Sequence, residues 1–241
     1  MGEFSRSKGK GAFQKMNIVQ QIPVLMLALA LCANQAQGQT APSATEIAGY
    51  SGLQAAAHTG DVSEVDRLIG AGVSLEQTDG HGRTAMHIAA FASHDGIVTA
   101  LASAGADPNR LDNGKYDIIT IAAVANDAEM VRTAVKAGGS AKNITSVYDG
   151  TALIAAAHLG HWESVEVLIA AGAPLDHVNN LGWTVLIEAV VLGDGGPRHV
   201  KTVRLLVEAG ADRSITDRDG NTPLDLAKRR GYEDMIRILM F

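Results

Sequence analysis

Apolar positions recur along this chain in two textures. A stripe at i, i+3, i+4 appears in Val65, Leu68 and Ile69, again in Val165, Leu168 and Ile169, and again in Val203, Leu206 and Val207. That spacing lays one apolar band along a helix and predicts a segment with a single buried face. The other texture is a dense apolar run rich in alanine, as around Ala89-Ala90, Ala122-Ala123 and Ala156-Ala157. Alanine combines high helix propensity with small volume, so these runs predict inner helices that approach one another closely. Alternating runs and stripes predict helix pairs.

The pairs have a fixed period. An alanine-glycine step closes the second helix at Ala71-Gly72, Ala104-Gly105, Ala137-Gly138, Ala171-Gly172 and Ala209-Gly210, so the glycines are 33, 33, 34 and 38 residues apart. A recurrence near 33 implies stacked repeats, each touching only its neighbours, with an open face left over. Glycine after each stripe suits a left-handed helix end. Between pairs the chain turns polar, in Asp79-Gly80-His81-Gly82, Asp112-Asn113-Gly114, Tyr148-Asp149-Gly150, Asn179-Asn180-Leu181-Gly182 and Asp217-Arg218-Asp219-Gly220. These clusters favour hairpin-like turns with positive φ and predict fingers projecting from the stack. Few residues flank each turn as strand, so the expected class is all-α with short β-hairpin fingers.

A threonine opens most inner runs: Thr84-Ala85-Met86-His87-Ile88-Ala89-Ala90, Thr151-Ala152-Leu153-Ile154-Ala155-Ala156-Ala157, Thr184-Val185-Leu186-Ile187-Glu188-Ala189 and Thr222-Pro223-Leu224-Asp225-Leu226-Ala227, with Asp117 to Ala123 in the same register. Threonine can cap the first amides of a helix, and proline at the first turn loses no hydrogen bond. With the Gly160-His161 turn and the ending Gly105-Ala106-Asp107-Pro108-Asn109, these lines resemble the ankyrin repeat. The resemblance spans residues 50 to 241 as about six units, near 50–79, 80–112, 113–146, 147–180, 181–218 and 219–241. The third and fourth have the looser register, because Lys115 and Asp149 stand where a glycine is usual.

The resemblance implies a site. In ankyrin proteins the finger tips and the inner-helix positions after the alanine pair recognise partners. Carried over, the helix positions are Phe91 and Ala92, Val124 and Ala125, His158 and Leu159, Val191 and Leu192, and Arg229 and Arg230. The finger positions are His81, Arg83, Tyr116, Tyr148, Asn180, Trp183, Arg218 and Asn221. Phe91, Tyr116, Tyr148 and Trp183 all fall on this face, and aromatic side chains concentrate interface energy, so a protein or peptide partner is expected. The competing reading makes the finger aromatics spacers between fingers. His87, in the histidine slot of the family motif, is expected to bond backbone between repeats. Asp194-Gly195-Gly196-Pro197-Arg198 accounts for the step of 38 as an insertion between the two helices of the fifth repeat, expected as a glycine-loosened loop that is either a recognition loop or a tolerated insertion.

The first 38 residues are of another kind. Arg6, Lys8, Lys10 and Lys15 precede an apolar run from Ile22 to Ala33, and Ala36-Gln37-Gly38 offers small residues at signal-peptidase spacing, which predicts a cleaved export signal. The run is shorter than the ~20 residues that span a bilayer. Met16 is an alternative start. Cys32 raises a lipid-anchored alternative, against which stands the bulky Leu31 directly before it. Residues 39–49 are expected as a flexible lead-in. Whole, the chain carries 20 Lys and Arg against 26 Asp and Glu, net −6. Removing four basic residues and Glu3 gives 16 against 25, net −9, with no basic stripe. Nucleic acid and anionic membrane are therefore poor partners. A monomer, periplasmic or secreted, without cofactor is expected. The resemblance to exported bacterial ankyrin proteins makes a periplasmic antioxidant enzyme one conceivable partner, to which no residue points.

The alternative is a metal-binding or enzymatic protein built on the repeats. His158 and His161 lie three apart, too few ligands for a zinc site. No nucleophile elbow or H-E-x-x-H occurs, and Glu188 is the one ionisable group in an otherwise apolar slot, for which a bond to the neighbouring finger is the expected role.

Overall fold

In a computed structural model of the protein, which describes residues 39–241, thirteen helices and one two-stranded sheet are present. Helices α1 (Ala44–Gly49), α2 (Gly52–Thr59), α3 (Val62–Gly70), α4 (Ala85–Phe91), α5 (Asp95–Ser103), α6 (Ile118–Val124) and α7 (Ala128–Lys136) come first. Strands β1 (Ile144–Thr145) and β2 (Gly150–Thr151) follow, then α8 (Ala152–His158), α9 (Trp162–Ala170), α10 (Val185–Val191), α11 (Pro197–Glu208), α12 (Pro223–Arg230) and α13 (Glu233–Met240). The expected export signal at 1–38, Met16 and Cys32 lie outside the described residues.

The helices form two layers. The even-numbered α2 to α12 make the inner layer, each against the next, and the odd-numbered α3 to α13 the outer one. The alanine pairs are buried on the inner layer, as their small size demands. Met86, Ile119, Leu153 and Leu186 occupy one slot on successive inner helices and are all buried. Val65, Val98, Val131, Val165 and Val203 do the same on the outer helices. Thr151, Thr184 and Thr222 cap their helices by accepting from the amides of Ile154, Ile187 and Asp225, and Asp117 does so for Thr120. His87 accepts the Thr84 amide on Nδ1, while its Nε2 lies 3.0 Å from the Arg110 carbonyl and 3.2 Å from that of Tyr116, the backbone role expected of it.

Each finger is built on one side-chain acceptor. Oδ1 of Asp79 takes the amides of His81 and Arg83, and Asp112 those of Gly114 and Tyr116. Ser146 Oγ, Asn179 and Asp217 repeat the device for Tyr148 and Gly150, Leu181 and Trp183, and Asp219 and Asn221. Lys115 and Asp149 have φ of +63° and +53°, in the slot where Gly82, Gly182 and Gly220 are also left-handed. The fingers of the third and fourth repeats are therefore in register despite lacking the glycine. Only the finger at 144–151 extends to a ladder, Ile144 opposite Thr151 and Thr145 opposite Gly150.

The turn between the helices of a pair is also left-handed, at Gly60, Ser93, Asn126, Gly160 and Gly231. Across it, His94 Nε2 reaches the His58 carbonyl at 3.1 Å and His199 Nε2 the His158 carbonyl at 3.0 Å. A Cβ on Gly160 would meet the His199 ring at 3.1 Å on a backbone with φ +65°. Gly160→Ala is expected to cost about 1–2 kcal/mol. A thermal melt showing no decrease in Tm would contradict this.

Within 39–49, expected as a flexible lead-in, Ala44–Gly49 forms α1, whose N-terminus carries a capping box in which Ser43 and Glu46 exchange hydrogen bonds. One expectation is corrected. The 194–198 insertion is not a loose loop. Pro197 and Arg198 begin α11, which has 12 residues where α3, α5, α7 and α9 have 9. A Cβ at Gly195 would lie 2.5 Å from the Tyr232 ring, and His199 Nδ1 stands 2.9 Å from Asp194 Oδ1. Proline at the first turn nucleates the added helix, and Tyr232 pins the remaining turn.

Candidate protein-binding face

The inner helices end, one after another, in partly exposed side chains. Phe91, Val124, His158, Val191 and Leu192 are half-buried, and Leu159 is exposed. Ala92 and Ala125 stand in the same row, half-buried and exposed. Tyr148 and Trp183 on the fingers are half-buried, whereas His81, Asn180, Arg218 and, at the end of α12, Arg229 are exposed. The row forms because successive inner helices are in register, so equivalent residues stack one repeat apart.

Three of the expected recognition residues are not offered to a partner. Arg83 is 1% exposed, its guanidinium held by Asp79 Oδ2 at 2.7 Å, by Glu46 and by the Thr40 carbonyl at 3.0 Å. Hydrogen bonds from the Ser43 side chain and backbone hold the Glu46 carboxyl down at about 2. Tyr50 Oη donates to Asp79 Oδ2 at 2.9 Å and His81 Nε2 lies 2.8 Å from Glu46 Oε1, so this cluster fastens α1 to the first finger. Tyr116 is 6% exposed and joins the hydrophobic core, its ring beside Gly114 of its own finger. Asn221 is 8% exposed, with both Asp217 oxygens accepting from its Nδ2 and Arg229 donating to its Oδ1 at 2.6 Å.

Other finger residues do link neighbours. The Asn180 amide donates to the Tyr148 carbonyl and its Nδ2 to that of Val147, each at 3.0 Å. Asn113 makes the same pair of bonds to His81 and Gly80, and Arg218 donates to the Asn180 carbonyl. Asn180 and Arg218 thus tie neighbouring fingers together, while Phe91, Tyr148 and Trp183 are half-buried.

One charged residue lies beneath the row. Glu188 is 4% exposed, and burial raises its carboxyl to about 7 against a hydrogen bond from Asn179 that lowers it. Asn179 Nδ2 donates to Oε1 at 2.8 Å, the finger contact expected. Oε2 has no hydrogen-bond partner and faces His158 Nδ1 at 3.9 Å. Burial in turn lowers the His158 imidazole. The sequence places His158 on the groove and Glu188 in an apolar slot, but only the fold brings the two side by side. The available signal was Asn179, standing in a column otherwise filled by Asp79, Asp112, Ser146 and Asp217.

Among the described residues no group of three or more His, Cys, Asp or Glu is placed to hold a metal ion. No helix there is long and apolar enough to cross a membrane.

Two helical layers with bonded fingers and an open row of side chains define a repeat scaffold, a class whose working surface is the face between fingers and inner helices. Ankyrin repeats in three copies match residues 21–112 and 118–217, and ankyrin repeats in many copies match 197–240. The chain belongs to the ankyrin-repeat family. It is 34% identical over 186 residues to the ankyrin repeat protein YahD of Escherichia coli K12, covering 77% of this chain and 92% of that one. The crystal structure of an ankyrin repeat domain from Acinetobacter baumannii AYE superposes with a TM-score of 0.74 at 38% identity, over 78% of this chain and 95% of that one. A chain from the complex of the predatory endopeptidase Bd0816 of Bdellovibrio bacteriovorus with immunity protein Bd3460 matches with a TM-score of 0.66 at 25% identity, over 79% and 97%. Ankyrin repeats are protein–protein interaction modules, typically non-catalytic.

Proposed function

We propose that this protein is exported to the periplasm and holds a polypeptide partner along its inner-helix row, without catalysis of its own. The observation that carries the reading is the row itself: Phe91, Val124, Leu159, Val191 and Leu192, flanked by Tyr148 and Trp183, leave apolar area accessible across the middle repeats. Partly exposed aromatics beside aliphatic residues are the composition of interface hot spots. The similarity to a chain from an endopeptidase–immunity protein complex supports a folded protein, such as an enzyme, as the partner class. Export rests on the basic, apolar and small-residue sequence of residues 6–38, with cleavage after Gly38.

The test pairs fractionation with capture. Periplasmic material whose amino terminus is Gln39 is the expected outcome, and a cytoplasmic, uncleaved chain refutes export. A Tyr148→Ala, Trp183→Ala double variant is expected to lose at least tenfold in the amount of captured partner while keeping its Tm. Equal capture by both forms refutes the assigned face.

A further inference from the structure

Glu188 occupies a slot that holds Ile88, Ile121, Ala155 and Leu226 in other repeats. A carboxyl there needs a neighbour that does not repel it. The finger bases at Asp79, Asp112 and Asp217 are carboxylates, and one of these beside Glu188 would set two acids face to face. Asn179 avoids that. Its Oδ1 serves its own finger and its Nδ2 is free to donate to Glu188 Oε1. The acid is thus positioned by a matched change in the finger, yet its second oxygen is left without a hydrogen bond. Buried polar atoms are rarely left so, and a charged one least of all.

The position of that oxygen indicates its use. Residues three and four apart share a helix face, so Glu188, Val191 and Leu192 line one side of the furrow between α10 and α8. Ala155, His158 and Leu159 line the other in the same way. The small Ala155 fills the slot equivalent to Glu188 one repeat earlier. The His158 side chain, 35% exposed, stands over the acid, and Leu159 is 36% exposed.

Among the described residues no lysine or arginine neutralises Glu188. On α12, Arg230 donates to the Val191 carbonyl and to Tyr232 Oη, and Arg229 to Asn221. On α11, Arg198 donates to the Gly160 carbonyl, Lys201 sits over the Trp162 ring, and His199 holds the His158 carbonyl and Asp194. From α9, His161 Nδ1 lies 3.0 Å from the Ala123 carbonyl. Among the described residues, only His158 and the uncharged Asn179 face the carboxyl.

We infer that the furrow between α8 and α10 receives one lysine or arginine of the bound polypeptide, with Glu188 Oε2 as its counter-charge and the His158 ring swung aside to admit it. This deepens the proposed function and rests on it. The aliphatic stem lies against Leu159, Val191 and Leu192 while the charged head reaches the acid, as long basic side chains do when they cross apolar surface. Cation binding requires the ionised acid, so it releases a proton where burial has raised Glu188 to about 7. Affinity for a basic peptide therefore falls roughly tenfold from pH 8 to pH 6.

Selection of twelve-residue phage-displayed random peptides on the purified protein tests this. The expected winners carry Lys or Arg next to apolar residues, and the best synthetic peptide loses at least tenfold in affinity when its basic residue becomes norleucine. It loses equally on Glu188→Gln, where the pH dependence also vanishes. His158→Ala binds as tightly as the natural protein or more so. Winners without a basic position, or equal affinity for Glu188→Gln, overturn the counter-charge while leaving the groove reading intact. Winners unaffected by a Leu159→Ser, Val191→Ser variant bind elsewhere and overturn both. A Glu188→Gln protein that melts no lower at pH 8 than the natural one certifies the comparison. A carboxyl whose folded value lies above its unfolded one weakens the fold as pH rises through that interval, so its amide is expected to melt higher at pH 8.

Discussion

Replacing Arg83 with methionine is expected to lower the unfolding free energy by about 3 kcal/mol and to release α1. The guanidinium is wholly buried and bridges Asp79, Glu46 and the Thr40 carbonyl. Methionine has similar bulk but no donor, so it leaves a nearly buried aspartate and a partly buried glutamate without their cation. That loss is what makes breaking such a pair costly, whatever the pair itself is worth. Urea denaturation measures the stability. Limited proteolysis measures the release, with new cleavage expected between residues 40 and 50. A variant as stable and as resistant as the natural protein would show that α1 is held by its apolar contacts alone.

Leu153→Ala is expected to cost about 3 kcal/mol as well, through a cavity rather than a charge. Leu153 is completely buried on α8, at the centre of the inner layer, with Ile119 and Leu186 in the equivalent slots on either side. In a linear array, a weak central unit also loosens the coupling between its two flanks. The denaturation curve is therefore expected to broaden or split in two. A single sharp transition at an unchanged midpoint would contradict both parts.

The repeat architecture was legible because its signals are local. Helix stripes, alanine pairs, capping threonines and closing glycines each act within one turn or one helix, and every one of these positions adopts its expected conformation. Even the fingers without glycine were in register, since the acceptors at Asp112 and Ser146 set the turn and Lys115 and Asp149 tolerate positive φ. The candidate face was legible by position and less so by residue. Tyr116 occupies a finger slot as Trp183 does, yet Tyr116 is in the core and Trp183 is half-exposed.

Periodicity along the chain was enough to show a solenoid of stacked helix pairs and which helix of each pair faces inward, because a helix turn senses only residues three or four away. Which finger side chains remain open was settled by packing between distant segments. Arg83 is buried by a carbonyl 43 residues earlier in the chain, and Glu188 meets a ring at position 158 in the preceding repeat. Charge and burial depend on distance in space, and in a stacked array the decisive neighbour is one repeat away.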